Sequence, residues 1–551
     1  MKFVIFSILF LIGLQFFLIQ PFFHSGFFPT HDDIQIIRIF EYFQSLKFGA
    51  IPPRWSSGLL FGYGYPLFVF YSPLVYFLGS MFIFLGFNFL LATKIVFILC
   101  FFVGVIGVFF VVRFFVGPVP ALISSIIYSF IPYRAVDVYV RGDLAEFFAY
   151  SFFPWVLLIK IKLLTNPKQK LLVPLLGIFL GLLIISHNIS VFIYAIFLIA
   201  CDGFYILNTE KKIRRLLITN LFVSTILGIL ISCFYWLPLI FESRFVQLDK
   251  VIADPYNQYF LTLNQIWDSP WGYGGFLQQN PMSLQLGKVI IIISFLAFIL
   301  NIFVKTAFRK TVHFFSAVYI VSTLLETKIT QFFWEIVTPL HYLQFPWRLH
   351  ILNTICGIIL IGFFVFFLQH LKIYQSKIGK LAFLGIMLFM IGMSVKESYS
   401  FFSAKSFTEA KPAAATTTGE EYLPKWVKQL PNNYPADKAE FLKGNGKIEN
   451  IEWGYSQKSI TVVSQQETKI QIAHIYYPGW IAYINNKKSD ISYDNKFGQM
   501  EINVPKGTNN IVFKFERTWW RWLADIVSVI GLLTVVYLIY INYRKKVELS
   551  K

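Results

Sequence analysis

Charge is what this chain has little of: only 14% of its 551 residues are Asp, Glu, Lys or Arg, against 56% hydrophobic ones. A soluble chain carries about a quarter charged residues, so a soluble globular protein is excluded and a polytopic membrane protein is expected. Acids are the scarcer sign, 29 against 48 basic residues, for a net charge of +19. That sum suggests nucleic-acid binding, but the positions do not. The basic clusters Lys160/Lys162/Lys168/Lys170, Lys211/Lys212/Arg214/Arg215, Lys305/Arg309/Lys310, Lys372/Lys377/Lys380 and Arg544/Lys545/Lys546 each sit between apolar runs. This is the positive-inside pattern of cytoplasmic loops, so the charge reports topology and no nucleic-acid partner is expected. Cysteine is nearly absent. Cys100, Cys201, Cys233 and Cys356 all lie in apolar runs, with no CxxC pair and no Cys/His metal spacing. They point to neither a disulfide frame nor a zinc site, and read as buried small apolar residues.

A leader-cleavage signature is missing too. Residues 3–23, behind Lys2, are apolar for long enough to span a bilayer, and bulky Phe22, Phe23 and Phe27 stand where small residues would mark cleavage. A retained anchor starting in the cytoplasm is expected, with His31-Asp32-Asp33 just outside the membrane. Carboxylates cost free energy at that boundary and invite a functional explanation. The plainer alternative is a solvated loop with a helix cap at Thr30 or Asp32.

With the basic clusters inside, about 12 spans close the topology. They lie near 3–23, 95–113, 118–132, 148–164, 171–186, 189–206, 216–240, 287–304, 312–325, 350–369, 381–396 and 522–541. Outside loops fall at 24–94, 241–286 and 326–349. The apolar run 65–84 would invert every later loop if it crossed. It is read as re-entrant or interfacial helices broken at Pro73 and edged by Tyr63, Tyr65, Tyr71 and Tyr76, with a transmembrane hairpin as the alternative. Residues 411–419 (KPAAATTTG) read as a linker. Alternating short runs at 459–463, 469–473, 480–484, 499–504 and 510–515, separated by Pro-Gly-type turns, predict a small extracytoplasmic β-sandwich.

The chemistry-bearing residues share the outer side. They are His31, Asp32, Asp33, Arg38 and Arg54, the run Gly62-Tyr63-Gly64-Tyr65, then Arg134, Asp137, Arg141, Asp143 and Glu146, and finally His187, His341, Arg348 and His350. Each has a structural alternative. Arg134 and Arg141 have the spacing to pair with Asp137 and Asp143; His187 suits a helix end; Arg348 beside Trp347 suits an interfacial anchor. If the helices converge, these residues build a cavity at the outer membrane face.

The anchor, the carboxylates after it and the two charged outer loops resemble the GT-C glycosyltransferases, membrane enzymes that use polyprenyl-phosphate sugars. More narrowly, His31-Asp32-Asp33, Pro52-Pro53-Arg54-Trp55, Gly62-Tyr63-Gly64-Tyr65-Pro66-Leu67-Phe68, Arg141-Gly142-Asp143-Leu144-Ala145-Glu146 and Gln344-Phe345-Pro346-Trp347-Arg348 resemble the bacterial "6-pyruvoyl-tetrahydropterin synthase-related" membrane proteins. The tail from Tyr476-Tyr477-Pro478-Gly479-Trp480 through Pro505-Lys506-Gly507 is similar to YfhO-type membrane proteins. The pterin in the family's label is not expected here, because the His-rich zinc spacing of a soluble pterin synthase is absent.

The resemblance implies a GT-C-like membrane domain over 1–396, an extracytoplasmic linker and β-sandwich over 397–520, and a final helix with a basic cytoplasmic tail over 521–551. It implies transfer of a sugar from a polyprenyl-phosphate donor to a glycan, lipid or protein acceptor on the extracytoplasmic face, in a multi-pass cell-membrane protein with both termini in the cytoplasm. The general base falls on Asp32, with Asp33 as substitute. His31, Arg54, Tyr63, Tyr65, Arg141, Asp143, Glu146, His187, His341 and Arg348 are the candidate substrate-binding residues. The arginines would meet the leaving phosphate. A divalent cation (Mg or Mn) is a candidate cofactor, with Asp32, Asp143 and Glu146 as ligands. The rival readings are a lipid-linked-glycan flippase, which would need midplane charges where the inner half shows few isolated ones, and a non-catalytic envelope-assembly subunit.

Overall fold

Proline, glycine and asparagine set where the apolar runs become helices. Asn88 caps the helix Phe89–Val116, its side chain accepting from the Leu91 amide at 2.8 Å. Gly117, at φ +89°, ends that helix, and Pro118 opens the next at a position where a missing N–H costs nothing. The computed structural model describes residues 1–248, 256–404, 406–408 and 422–550. The expected linker at 411–419 lies outside the described residues.

Among the described residues seven helices are long and apolar enough to cross a membrane: Phe89–Val116, Leu144–Thr165, Asn188–Asn208, Lys211–Ile231, Pro346–His370, Lys377–Phe401 and Trp519–Arg544. Pro118–Ser129 and Pro132–Arg141, bent by 45°, make an eighth if counted as one span. Lys2–Leu18, Leu74–Phe84, Leu172–Ile184 and Lys288–Phe303 are shorter apolar helices. Of the expected dozen spans, eleven fall on these helices, of unequal length, and the one near 312–325 falls on the 17-residue helix Arg309–Leu325, which is not among them. The expected span at 216–240 is divided at Ser232 into Lys211–Ile231 and Cys233–Glu242. In the run 65–84, Leu67–Phe70 and the 11-residue Leu74–Phe84 are separate helices. At about 1.5 Å per residue neither is long enough for a bilayer core of about 30 Å. Ile199, Leu207, Leu381 and Phe389 on the long helices are exposed, as lipid-facing positions must be.

The polar C-terminal part is two antiparallel sheets. Strands β1 (Ala439–Lys443), β4 (Thr468–Ile475) and β7 (Gln499–Val504) form one, in the order β1-β4-β7. Strands β2 (Lys447–Trp453), β3 (Gln457–Ser464), β8 (Gly507–Phe515), β5 (Trp480–Ile484) and β6 (Lys487–Ser489) form the other, in the order β2-β3-β8-β5-β6. Alternation drives the packing, with Ile460, Val462, Ile470, Ile472, Ile502, Ile511 and Phe513 all buried.

The first loop is built into this domain. Trp55 lies 5.5 to 5.9 Å, ring to ring, from His474, Tyr477, Trp480 and Phe515, and its Nε1 donates to His474 Nε2 at 3.0 Å. Each such aromatic pair adds about 0.5–1.5 kcal/mol to the area it buries. Beside it, Glu41 accepts from Ser56 Oγ at 2.5 Å and from the Gly58 amide at 3.0 Å. The Lys458 ammonium donates to Gly454 O and, at 3.3 Å, to Ser57 Oγ.

Candidate functional site

The site begins with a single wide helical turn. After Pro132–Val136 the chain forms one turn of π-helix, Asp137–Arg141, and stops at Gly142, which sits at φ +67°. Such turns displace side chains from the regular helical face and are frequent at functional sites. Asp143 then caps the helix Leu144–Thr165, accepting from the Glu146 amide at 3.0 Å, so both acids stand at that helix's start.

Arg141 is the hub. Its Nη1 donates to Asp137 Oδ1 at 2.7 Å, Glu146 Oε1 at 2.6 Å and Tyr133 OH at 3.0 Å. Its Nη2 donates to Asp143 Oδ2 and Glu146 Oε2, both at 3.2 Å. Tyr133 OH donates to Glu146 Oε1 at 2.5 Å, and the Trp347 ring lies 4.9 Å from the guanidinium. The spacing pairs Arg141 with Asp137 and Asp143 as weighed from the sequence. Arg134 takes a different place: it donates to Tyr128 O and Ser129 O and lies over the Tyr128 ring at 4.4 Å.

A second arginine approaches from the other side. Arg348 Nε lies 3.2 Å from Glu146 Oε2, without hydrogen-bonding geometry, and its Nη1 donates to Leu343 O at 3.1 Å and Gln344 Oε1 at 2.7 Å. Gln344 is held at φ +63°, a conformation that non-glycine residues rarely adopt and that clusters at functional sites. His187 caps the helix Asn188–Asn208 through Nδ1, while its Nε2 faces Asp143 Oδ2 at 3.9 Å. Arg348, His187, Gln344, Tyr71, Ser72, Asn188, Tyr342 and Tyr422 line a cavity of about 320 Å³.

The first loop brings Asp32 to this cluster through its backbone. His31 N donates to Val140 O and Asp32 N to Arg141 O, both at 2.8 Å. Burial pushes the half-buried Asp32 carboxyl above its ordinary range and nearby Asp143 adds to that, against the opposing charges of Arg141, Arg38 and Arg348. Burial raises Asp143 as well, but His187, Arg141 and Arg348 together hold it below the usual carboxylate range. His187 is lowered by burial, against the pull of Asp143 and Glu146, and so favours the neutral imidazole.

Asp143, Glu146 and His187 present ligand atoms that all lie within 4.8 Å of one another. Two carboxylates and an imidazole suit Mg, Mn or a similar divalent ion. The buried Asp137 Oδ2, which has no hydrogen-bond partner, shows that the acids here are not fully satisfied by the arginines. The donor set fits such an ion. It shares Asp143 and Glu146 with the sequence expectation and has His187 where Asp32 was expected.

Other candidate residues lie elsewhere. Asp33 and His31 are exposed, and His31 Nε2 bonds to Tyr273 O at 2.9 Å. Arg54 pairs with Asp525 at 2.5 Å, outside the acidic cluster. Tyr63 packs on Phe497 and its carbonyl accepts from the Ile475 amide, while Tyr65 OH accepts from the Tyr422 amide at 3.2 Å. His341 bonds to Trp334 O and stacks on Tyr256 at 4.3 Å. Sequence reasoning missed Tyr133 and Gln344, which carry no charge to attract notice; Gln344 does stand four residues before Arg348, a spacing that allows their contact.

The sequence profile of a membrane-protein family, described as 6-pyruvoyl-tetrahydropterin synthase related domain, matches residues 68–400. No curated protein matches the chain. Among solved structures, the chain is similar to the archaeal oligosaccharyltransferase AglB from Archaeoglobus fulgidus in complex with an inhibitory peptide and a dolichol-phosphate, at a TM-score of 0.48 and 12% identity. It is also similar to the apo form of the Archaeoglobus fulgidus oligosaccharyltransferase, at a TM-score of 0.46 and 11% identity. Each match covers 74% of this chain and 56% of the other, so the chain spans little more than half the length of these proteins.

Proposed function

This chain belongs to the membrane-protein family described as 6-pyruvoyl-tetrahydropterin synthase related, and from that premise we propose that it is a membrane glycosyltransferase of the GT-C type. It moves a sugar from a polyprenyl-phosphate donor to a glycan, lipid or protein acceptor on the extracytoplasmic face. The observation that carries this reading is the gathering of Asp32, Arg141, Asp143, Glu146, His187 and Arg348 beside a cavity large enough for a sugar phosphate.

Chemistry follows from what each group can do. The acceptor oxygen attacks the anomeric carbon and its proton passes to the Asp32 carboxylate. The bond from that carbon to the phosphate oxygen breaks, and its electron pair leaves with the polyprenyl phosphate. Arg348 lines the cavity and meets the charge that grows on the leaving group. Arg141 is already engaged by three carboxylates, so its part is to hold Asp143 and Glu146 in place. A divalent cation held by Asp143, Glu146 and His187 would supply Lewis-acid neutralisation of phosphate charge. The raised Asp32 carboxyl is a stronger base than an exposed one, which suits proton abstraction near neutral pH.

The domain assignment follows the same reading. Residues 1–396 carry the reaction, the β-sandwich within 397–520 presents the acceptor, and 521–551 anchors it, with both termini cytoplasmic. The test is transfer of radiolabelled sugar from a panel of polyprenyl-phosphate donors by reconstituted full-length protein, with and without chelator. Asp32→Asn is expected to lower transfer about 10²–10⁴-fold while donor binding persists. Undiminished transfer in that variant removes Asp32 as the base, and no transfer by the wild type from any donor overturns the assignment.

A further inference from the structure

The run Gly62-Tyr63-Gly64-Tyr65 sets one tyrosine against the β-sandwich. Both glycines have positive φ, +84° and +88°, and a Cβ on Gly64 would come within 2.4 Å of the Trp55 ring, so the turn needs glycine there. The turn brings the Tyr63 carbonyl to the Ile475 amide at 2.8 Å and the Tyr63 ring to 6.0 Å from Phe497. Along β4, Gln471 and Ala473 alternate with buried Ile470 and Ile472, so they stand on the sheet face turned away from the sandwich core. Between that face and the turn lies a pocket of about 290 Å³. It shares no residue with the cavity beside Arg348.

Three side chains of its lining are nine-tenths buried yet keep unused hydrogen-bonding atoms. Tyr63 is 7% exposed, Gln471 8% and Gln499 9%. Gln471 Nε2 donates to Glu501 Oε1 at 3.0 Å, which leaves its Oε1 without a partner among the described residues. The Tyr63 hydroxyl and the Gln499 side-chain amide also make no hydrogen bond among the described residues. The wall that carries Gln499 is already fixed. Asn495 Nδ2 donates to Gln499 O and to Glu501 Oε1, both at 2.8 Å, and its Oδ1 accepts from the Gln499 amide at 2.9 Å. Lys469 holds Glu501 in turn, at 2.6 Å. A ligand that meets these groups therefore has little ordering to impose.

The lining says which ligand. An amide side chain donates and accepts side by side, as a pair of neighbouring sugar hydroxyls requires. The electron-rich faces of Tyr63 and Phe497 suit the C–H face of a sugar ring. Asp437 and Glu440 outnumber Lys496, the one cation in the lining, and this balance disfavours an anion. The volume is at the small end of ligand pockets, about 300–1,000 Å³, which suits a short stretch of a chain. Two residues beyond Tyr63, Tyr65 OH accepts from the amide of Tyr422, which itself lines the cavity beside Arg348. We propose that this pocket is a saccharide-binding site that takes a neutral glycan. On the transferase reading above, on which this part of the assignment rests, that glycan is the acceptor.

The test uses purified full-length protein in a detergent without a sugar headgroup. It is titrated with neutral trisaccharides of glucose, galactose, mannose and N-acetylglucosamine, and binding is read by saturation-transfer difference NMR, with triserine as a peptide control. No donor lipid is needed, so a failure here is distinct from a failure of the transfer assay. At least one trisaccharide is expected to bind the wild type. Tyr63→Phe removes only a hydroxyl and is expected to weaken that binding about fivefold. Ala436→Phe closes the pocket at its exposed rim and is expected to weaken it at least about tenfold. Undiminished binding in either variant, binding of triserine alone, or no binding of any trisaccharide by the wild type overturns the proposal.

Discussion

Replacing Lys458 with methionine should change how the stability of the β-sandwich depends on pH. The Lys458 side chain is buried against Ser57 and the rings of Trp453 and Trp480, and burial lowers its ammonium from 10.5 to about 7, with Lys438 adding to the drop and Glu41 opposing it. Below about pH 7 both the folded and the unfolded chain hold the proton, and the cost of burying the charge is fully in force. Between about pH 7 and 10.5 the unfolded chain keeps the proton while the folded chain has released it. Stability contributed by this residue therefore rises with pH, at a slope that approaches ~1.4 kcal/mol per pH unit above pH 7 and amounts to ~2 kcal/mol from pH 7 to pH 9. Glu41 runs the other way: burial raises its carboxyl, so its contribution falls as pH rises above 4.5. Comparing wild type with Lys458→Met at each pH reads the lysine together with its pull on the Glu41 carboxyl. Denaturant unfolding in detergent, followed by tryptophan fluorescence, should show the wild type gaining on the variant as pH rises from 7 to 9. Parallel curves, or a wild type that falls behind, would refute the reasoning.

Arg141→Met strands three buried carboxylates and should cost about 3–5 kcal/mol, seen as a large drop in thermal stability. Arg348→Gln leaves Arg141 on the same acids, so its loss should appear in transfer rate with only a small change in thermal stability. Gly142→Ala puts a methyl 2.2 Å from Thr30 Oγ1 at a backbone φ of +67°, where the left-handed penalty alone is about 1–2 kcal/mol. It should displace the Asp32 loop, lowering transfer more than donor binding, as a kcat and KM comparison would show.

The sequence revealed most of the helices because apolar runs and their punctuation are local. Asn88, Gly117 and Pro118 mark their ends without reference to anything distant. Strands β5 and β7 were legible for the same reason, through alternation between turn signals, whereas β6 has only three residues, Lys487–Ser489, and no apolar face to show. In the site, the Arg141, Asp143 and Glu146 group was legible as a run of charges between two apolar runs. The division of labour between arginines was not. Arg54 and Arg348 look alike in sequence, and only the fold sends one to Asp525 and the other to Glu146. The π-turn was equally hidden, since the 137–141 spacing reads as an ordinary helical pair, yet the wider turn lets Arg141 reach Asp137, Asp143 and Glu146 at once.

Trp55 has a consequence for synthesis. Its indole fills the centre of a domain whose own first strand begins at Ala439, and its partner His474 is 419 residues further along the chain. A ribosome adds roughly 5–20 residues per second, so this tryptophan must wait tens of seconds before the strands that enclose it exist. Until then it is a bare aromatic that needs lipid or a chaperone for company. The C-terminal sheets expressed alone would have a hole in their middle, and a chain cut short before β4 would leave the first loop permanently uncovered.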